Sequence, residues 1–407
     1  MSDLTLIGTY ATFLASYLVF ALGKFPGMKI DRPGMAIIGA VLMFAFGALH
    51  PSDALHFVDL GTIVLLFSMM LLVAYLHVAG FFDWVTERVI SGLKPHHLLP
   101  TVIFLSGILS AFFVNDIICL VMAPFALTAS RRMGLKAVPY LLAVATASNV
   151  GSVATITGNP QNMLVGSFSG IGYRDFLWHL GPVALAGLFL VWLVLWFFCR
   201  RTGLRDVRAK VPTDIPLVNP AALLKPGIVV VMVLAGFLAG LAPPLVAALG
   251  AAVMLITRTR DPRLVYDEVD WGLLVFFVGL FLIVGGAENV GMTGGLLKLG
   301  EGLNLQHLGI FTLVTAGLSN LVSNVPAVMV LKSLVPRFTN PHTGWLALAM
   351  ASTLAGNLTI TGSVANIIVV ERARKEANIT FGEYFRVGLP VTVLTMALGY
   401  LWLSWMK

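Results

Sequence analysis

One carboxylate sits where a carboxylate is costly. Asp116 falls midway along an apolar stretch at about 98–130, beside Asn115, and is the only acidic residue predicted at the centre of an apolar segment. Ionisable groups in such segments are expensive and gather where ions bind or protons are relayed. Asp116 is thereby a candidate for taking up and releasing a proton. The plainer reading is a cap for the helix that begins beside it, a role open to Asp at a helix start, and the two are compatible. A second apolar stretch, at about 307–335, is interrupted by Ser323-Asn324-Val325-Pro326. Two more polar interruptions are Thr155-Ile156-Thr157-Gly158-Asn159-Pro160-Gln161-Asn162 and Thr359-Ile360-Thr361-Gly362-Ser363-Val364-Ala365-Asn366. Gly158 and Pro160 disfavour a continuous helix. Unwinding frees backbone N–H and C=O groups, to which Thr, Ser and Asn add uncharged donors and acceptors. A half-helix N-terminus carries about half a positive charge and suits an oxyanion, while carbonyl-rich ends suit Na⁺.

The candidate binding set is therefore Asn115, Asp116, Thr155, Thr157, Gly158, Asn159, Asn162, Ser323, Asn324, Thr359, Thr361, Gly362, Ser363 and Asn366, with Asp116 as the proton carrier. It contains no Lys or Arg. Cys119 lies three residues beyond Asp116, but a single thiol is a poor trap for a soft ion and reads as a small apolar filler. Cys199 is far off in sequence, so neither a disulfide framework nor a paired metal motif is expected. His77 and Glu288 occupy matching places near segment ends, where they reach an interface, and His96-His97 has no acidic partner at metal-ligand spacing. The absence of His-Glu-x-x-His, of Gly-x-Ser-x-Gly and of paired central carboxylates argues against an intramembrane hydrolase. No metal or other cofactor is expected.

Elements that could position these residues follow from composition. Of 407 residues, 58% are hydrophobic and 11% charged, far from the roughly 25% charge of a soluble domain. Apolar stretches long enough for a hydrocarbon core of roughly 30 Å recur throughout, so the chain is expected to be an all-α polytopic membrane protein. Five spans are predicted at about 5–24, 35–50, 58–80, 137–168 and 177–200, and five more at about 226–242, 243–257, 270–290, 342–370 and 384–405. The stretches at 98–130 and 307–335 have arms too short to cross and read as re-entrant hairpins, tolerated where protein or a water-filled cavity satisfies their backbone. With the N-terminus outside, all basic residues except Arg174, Lys298, Lys332, Arg337 and Lys407 fall inside, which puts both termini in the periplasm and the chain in a bacterial inner membrane. That bias accounts for the net charge of +7 without nucleic acid. The first span lacks a basic leader and reads as a retained helix.

The chain also repeats itself. Residues 143–162 and 347–366, offset by 204, share Ala143, Ala145, Ala147, Ser148, Thr155, Ile156, Thr157, Gly158 and Asn162 without a gap. Asp59-Leu60-Gly61 recurs as Asp270-Trp271-Gly272, Asn115 as Asn324, and Asp175-Phe176 as Glu383-Tyr384. Five spans per copy is odd, so the copies must be inverted. The expected units are a first repeat over 1–200, a cytoplasmic linker over 201–225 and an inverted second repeat over 226–407.

Gly80-Phe81-Phe82-Asp83-Trp84, Phe113-Val114-Asn115-Asp116, Gly158-Asn159-Pro160-Gln161-Asn162, Ser323-Asn324-Val325-Pro326 and Tyr384-Phe385-Arg386-Val387-Gly388 occur in the order that resembles the ion transporter superfamily, and within it the arsenite-permease and anion-permease branch. The resemblance implies a secondary transporter with a scaffold part that carries homodimer contacts, a transport part made of hairpins and broken helices, and elevator-like alternating access. It departs from the sodium–dicarboxylate branch, which has Ser-Asn-Thr at both hairpin tips, where this chain has Val114-Asn115-Asp116 and Ser323-Asn324-Val325. A binding set without a cation fits a small, neutral or singly charged, oxygen-rich solute. Proton-coupled efflux of arsenite or antimonite is ranked first, sodium- or proton-coupled transport of organic or inorganic anions second, and sodium–proton antiport third. No P-loop is present, so ATP-driven transport would need a separate cytosolic ATPase partner.

Overall fold

Local signals set the helix boundaries. Ser2 caps the first helix, α1 (Asp3–Leu22), through a bond to Thr5 N, and Gly23 ends it in a left-handed turn at φ 78°. Asp31 caps α2 (Arg32–Ala45) and Asp59 caps α3 (Leu60–Val78), each accepting from a backbone N–H that the helix itself leaves unpaired. The computed structural model describes residues 2–25, 27–202, 221–256, 261–292, 294–295, 298 and 302–406, and these form helices and no β-strand. Most of the expected 201–225 linker, with Arg205, Arg208 and Lys210, lies outside the described residues, as do Arg258, Arg260 and Lys407.

The first half continues through α4 (Phe81–Gly92), α5 (Leu98–Phe112), α6 (Asn115–Arg132), α7 (Val138–Ser152), α8 (Pro160–Ser169) and α9 (Tyr173–Thr202). The second runs through α10 (Ala221–Leu238), α11 (Pro243–Leu255), α12 (Trp271–Asn289), α13 (Leu308–Val322), α14 (Asn324–Leu331), α15 (Pro341–Ala355), α16 (Val364–Ala373) and α17 (Phe381–Trp405). The order of the second half repeats that of the first, from α10 matching α1 to α17 matching α9. Among the described residues six helical stretches are long and apolar enough to cross a membrane: α1, α3, Pro95–Phe112, Tyr173–Arg200 within α9, α12 and α17. The first arm of the 98–130 stretch, expected to be too short to cross, is thus long enough once the turn at Pro95–His97 leads into α5. Large apolar side chains such as Leu14, Leu185, Leu313 and Leu401 lie more than half exposed on the exterior, a surface that water would not tolerate over so wide an area.

Both expected interruptions are real. Between α7 and α8 the chain unwinds at Val153–Thr155, makes a single 3-10 turn at Ile156–Gly158 and restarts on Pro160. Between α15 and α16 it does the same, with a turn at Ile360–Gly362. Gly158 is required by crowding, because a Cβ there would lie 2.1 Å from the Ser152 carbonyl oxygen. The halves interlock at these breaks: α8 packs on α15, and α16 packs on α7. The paired helices α5/α6 and α13/α14 form two hairpins whose second arms cross in the same way, α6 onto α16 and α14 onto α8. Against this assembly stands a frame in which α2 packs on α12 and α3 on α11, with α1 and α10 alongside.

Candidate functional site

Six helices begin at one cavity of about 230 Å³. From the frame come Arg32 and Pro33 at the start of α2, and Asp270, Gly272 and Leu273 at the start of α12. The hairpins contribute Asn115 and Asp116 at the start of α6, and Ser323, Asn324 and Val325 at the start of α14. The broken helices add Pro160 and Gln161 at the start of α8, and Ser363 and Val364 at the start of α16. Helix starts present unpaired N–H groups and a partial positive charge. Three of these starts are capped by side chains: α2 by Asp31, α12 by Asp270 and α8 by Asn159. The residues before α6, α14 and α16 make no side-chain cap. The Asp116 carboxylate lies against the backbone N–H of Ala365, in the first turn of α16, so an acid on one repeat faces the half-helix of the other.

Behind the cavity wall a network of uncharged side chains ties the breaks together. Asn149 is completely buried and uses its whole hydrogen-bonding capacity. Its amide nitrogen donates to Asn357 Oδ1 and Asn366 Oδ1, both at 3.0 Å, and its oxygen accepts from Asn115 Nδ2 at 3.0 Å and Ser363 Oγ at 3.1 Å. The repeat partner of Asn149, at an offset of 204, is Thr353. It takes the mirrored place, accepting from Asn159 Nδ2 and Gln161 Nε2, both at 3.2 Å, and donating to Asn162 Oδ1 at 3.4 Å. Asn162 and Asn366 are matching staples. Asn162 Nδ2 donates to the carbonyls of Ser152 and Thr155, at 3.0 and 2.9 Å; Asn366 Nδ2 donates to those of Gly356 and Thr359, at 2.7 and 3.0 Å. Each staple thus satisfies carbonyls released by its own break.

The candidate residues divide accordingly. Asn115, Asp116, Ser323, Asn324 and Ser363 line the cavity together. Asn159, Asn162 and Asn366 lie in the network behind it, and Gly158 packs against Ser152. Thr155 Oγ1 donates to Ala111 O, and Thr157 Oγ1 lies 3.4 Å from Phe112 O and 3.0 Å from the Tyr173 hydroxyl. These threonines serve the carbonyl end of α5. Thr359 and Thr361 face each other at 3.4 Å, with Thr361 exposed, and Gly362 sits beside Asn320. Cys119 is fully buried, 2.9 Å from Ser148 Oγ. His77 pairs with Glu268 at 3.2 Å and Glu288 with Lys332 at 3.2 Å.

Sequence reasoning missed four participants. Arg32 and Asp270 line the cavity, so the wall is not free of cationic side chains as the candidate set suggested, and Asp116 is not its sole acid. Both stand at predicted span ends, where a charge ordinarily signals only the interface. Asn149 and Thr353 were passed over because the repeat was read through identities, and these two positions differ. A rule seeking polar residues at matching places, identical or not, would have found them. Gln161 Nε2 also reaches Asn324, whose amide, oriented to satisfy its surroundings, accepts at 3.3 Å and donates to Ser352 O at 3.0 Å and Gly362 O at 3.2 Å.

Repeated halves, paired breaks and a polar cavity between a frame and an interlocked inner unit define a multi-pass membrane transporter. A profile described as citrate transporter matches residues 17–355, and the chain belongs to that family. An uncharacterized transporter of Mycobacterium tuberculosis is 29% identical, with 97% of each chain aligned. A silicon efflux transporter of Oryza sativa subsp. japonica is likewise 29% identical, over 92% of each. The crystal structure of the Alcanivorax borkumensis YdaH transporter matches 99% of this chain and 97% of its own with a TM-score of 0.59 at 16% identity, a likeness of fold.

Proposed function

We propose that the protein is a secondary active transporter that exports a small, uncharged, hydroxyl-bearing solute in exchange for protons, with arsenite or antimonite as the leading candidate. The observation that carries this reading is the charge around the cavity, where two carboxylates, Asp116 and Asp270, outnumber the single guanidinium of Arg32. A multiply charged anion would meet uncompensated negative charge as it lost its water, a severe penalty; a neutral trihydroxide meets none. Amides, hydroxyls and three uncapped helix starts can hydrogen-bond its oxygens. A cavity of about 230 Å³ lies below the usual range of roughly 300–1,000 Å³ for drug-sized ligands. Silicon is exported by the rice relative, and dissolved silicon at neutral pH is also a small neutral hydroxide.

In this reading α5/α6 and α13/α14 re-enter the membrane without crossing it, and both termini face the periplasm. The inner unit moves past the frame as an elevator. Asp116, at the start of a hairpin arm and against a half-helix of the other repeat, takes a proton from one side and gives it up on the other. Sodium would be the alternative coupling ion. A second reading, a small carboxylate or inorganic anion, is supported by Arg32, by the uncapped starts of α6, α14 and α16 and by the description of the family.

Purified protein in liposomes decides between the readings. With a proton gradient imposed, arsenite should move against its own gradient and citrate should not. Asp116→Asn should lower gradient-driven arsenite movement by about a hundredfold or more, the scale expected for losing an essential proton-transfer group, while the protein elutes as a folded species. Citrate uptake without arsenite movement would overturn the first reading in favour of the second. Undiminished proton coupling in Asp116→Asn would remove that residue from the mechanism.

A further inference from the structure

Away from the cavity, two helix starts are joined by groups that the transport reading does not use. Asp175 and His179 stand one turn apart in the first half of α9, and His342 is in the first turn of α15. One Asp175 carboxylate oxygen is 2.9 Å from His179 Nδ1 and the other is 2.7 Å from His342 Nε2. The imidazoles meet edge to face with centroids 4.9 Å apart. All three ligand-competent atoms lie within 4.8 Å of one another, and among the described residues this is the only such group of three.

We propose that Asp175, His179 and His342 form a binding site for a divalent transition-metal ion of the Zn²⁺ class, which braces the start of α9 against the start of α15. Two imidazoles and a carboxylate suit such an ion rather than Ca²⁺ or Mg²⁺, which prefer all-oxygen shells. Zn–N distances of roughly 2.0–2.1 Å put tetrahedral ligand atoms about 3.3 Å apart. Side-chain rotation must therefore bring in the atoms that now lie up to 4.8 Å apart and must free His179 Nδ1 from the Asp175 carbonyl oxygen 2.9 Å away. Asp175 is 46% exposed, so water can complete the shell. Comparison of the halves shows that the fold does not demand this cluster. Asp175 corresponds to Glu383, at an offset of 208, and Glu383 is occupied in a capping box with Thr380. The counterpart of His179 at that offset is Val387, and that of His342, at an offset of 204, is Val138. Both imidazoles are therefore additions to one end of the molecule, and both converge on the acid that its repeat partner spends on helix capping. Further support comes from Trp402, whose Nε1 donates to the His179 carbonyl at 2.8 Å and so fixes α9 against α17 at the same level.

The test uses the full chain in detergent, free of any affinity tag and stripped with EDTA. Zn²⁺ is titrated against a chromogenic chelator, and Co²⁺ is added separately to read ligand-field absorption. One ion per chain is expected, with a Co²⁺ spectrum of low coordination number. His179→Ala and His342→Ala should each weaken Zn²⁺ binding by more than about tenfold, since losing even an outer-shell partner has an effect of that size. His342→Gln, which keeps a hydrogen-bond donor toward Asp175, serves if the alanine variant does not fold, and it should also lose the ion. A His96→Ala/His97→Ala variant should bind as the wild type does. The proposal is overturned if the wild type takes up no more Zn²⁺ than His342→Gln, or if binding follows the His96/His97 pair; the cluster is then a hydrogen-bonded clasp without metal.

Discussion

Two cavities flank the interlocked unit, and the frame builds them alike. Gly61, Thr62, Leu65, Pro243 and Pro244 line one; Gly272, Leu273, Phe276, Arg32 and Pro33 line the other, and each pair of positions is related by the same offset of 211 residues. What these matching walls face is different. The Arg32 cavity meets the tips of both hairpins and the starts of both second half-helices. The Pro243 cavity, of about 250 Å³, meets Ile156, Met163, Gly166 and Tyr173, the flank and far end of a half-helix. A symmetric frame around an asymmetrically placed unit means that the unit stands toward one side. Sliding it the other way would present the hairpin tips to Gly61 and Pro243. The one charged substitution between the walls, Arg32 for Pro243, makes the two cavities electrostatically unequal, with a guanidinium lining only one of them.

The widest difference expected between the halves is at the breaks. Alanine at Gly158 would place its Cβ 2.1 Å from a backbone oxygen, whereas alanine at Gly362 meets first the Asn320 side chain, at 2.8 Å, with the Gly356 carbonyl at 2.9 Å. Backbone cannot yield as a side chain can. Gly158→Ala should cost about 3 kcal/mol or more and Gly362→Ala clearly less, compared by thermal melting in one detergent. Equal losses would show that the two breaks are mechanically equivalent and that the asymmetry is confined to the frame.

A smaller contrast concerns the network. Asn149 makes four bonds of 3.0–3.1 Å, while Thr353 makes three of 3.2–3.4 Å. Removing Asn149 leaves buried amides of Asn115, Asn357 and Asn366 short of partners, at roughly 1–3 kcal/mol for an unsatisfied group. Asn149→Ala should therefore lower the melting temperature more than Thr353→Ala. A larger loss at Thr353 would mean that the centre of polar packing lies on the other repeat.

Much of this was legible because membrane chemistry leaves few options. Helices follow from apolar length, the breaks from Gly158 and Pro160, and the pairing of halves from the 204-residue echo. The structure places both interruptions where those signals stand, while α2 and α11 are shorter than the spans expected there and the amphipathic α4 was not foreseen. The division of the polar residues was not legible. Asn162 and Ser363 belong to equivalent turns, yet one bonds to its own half's carbonyls and the other both lines the cavity and bonds to Asn149 of the opposite repeat. Composition cannot separate a staple from a ligand, because both must be uncharged, small and capable of hydrogen bonding. Arg32 and Asp270 were hidden for the opposite reason. Their charge was explained by position at a span end, and only the packing of α2 on α12 reveals that those ends open on the site.

The finest contrast is at the hairpin tips. Ser323 has φ 78° and ψ 159°, in a region that essentially only glycine occupies, at a cost of order 1–3 kcal/mol. Its counterpart Val114 is relaxed at φ −58°. Ser323 also lines the cavity; both tips lead into helices without a side-chain cap, α14 at Asn324 after the strained tip and α6 at Asn115-Asp116 after the relaxed one. Glycine at position 323 removes the Cβ clash that makes this conformation costly. Ser323→Gly should then stabilise the protein by about 1 kcal/mol, offset in part by the freer unfolded chain, whereas Val114→Gly should destabilise it. The two melting temperatures moving in opposite directions would locate stored strain in the second hairpin alone. If both variants melt earlier, the Ser323 backbone is held without strain by its surroundings, and the hairpins differ in chemistry only, through Asp116.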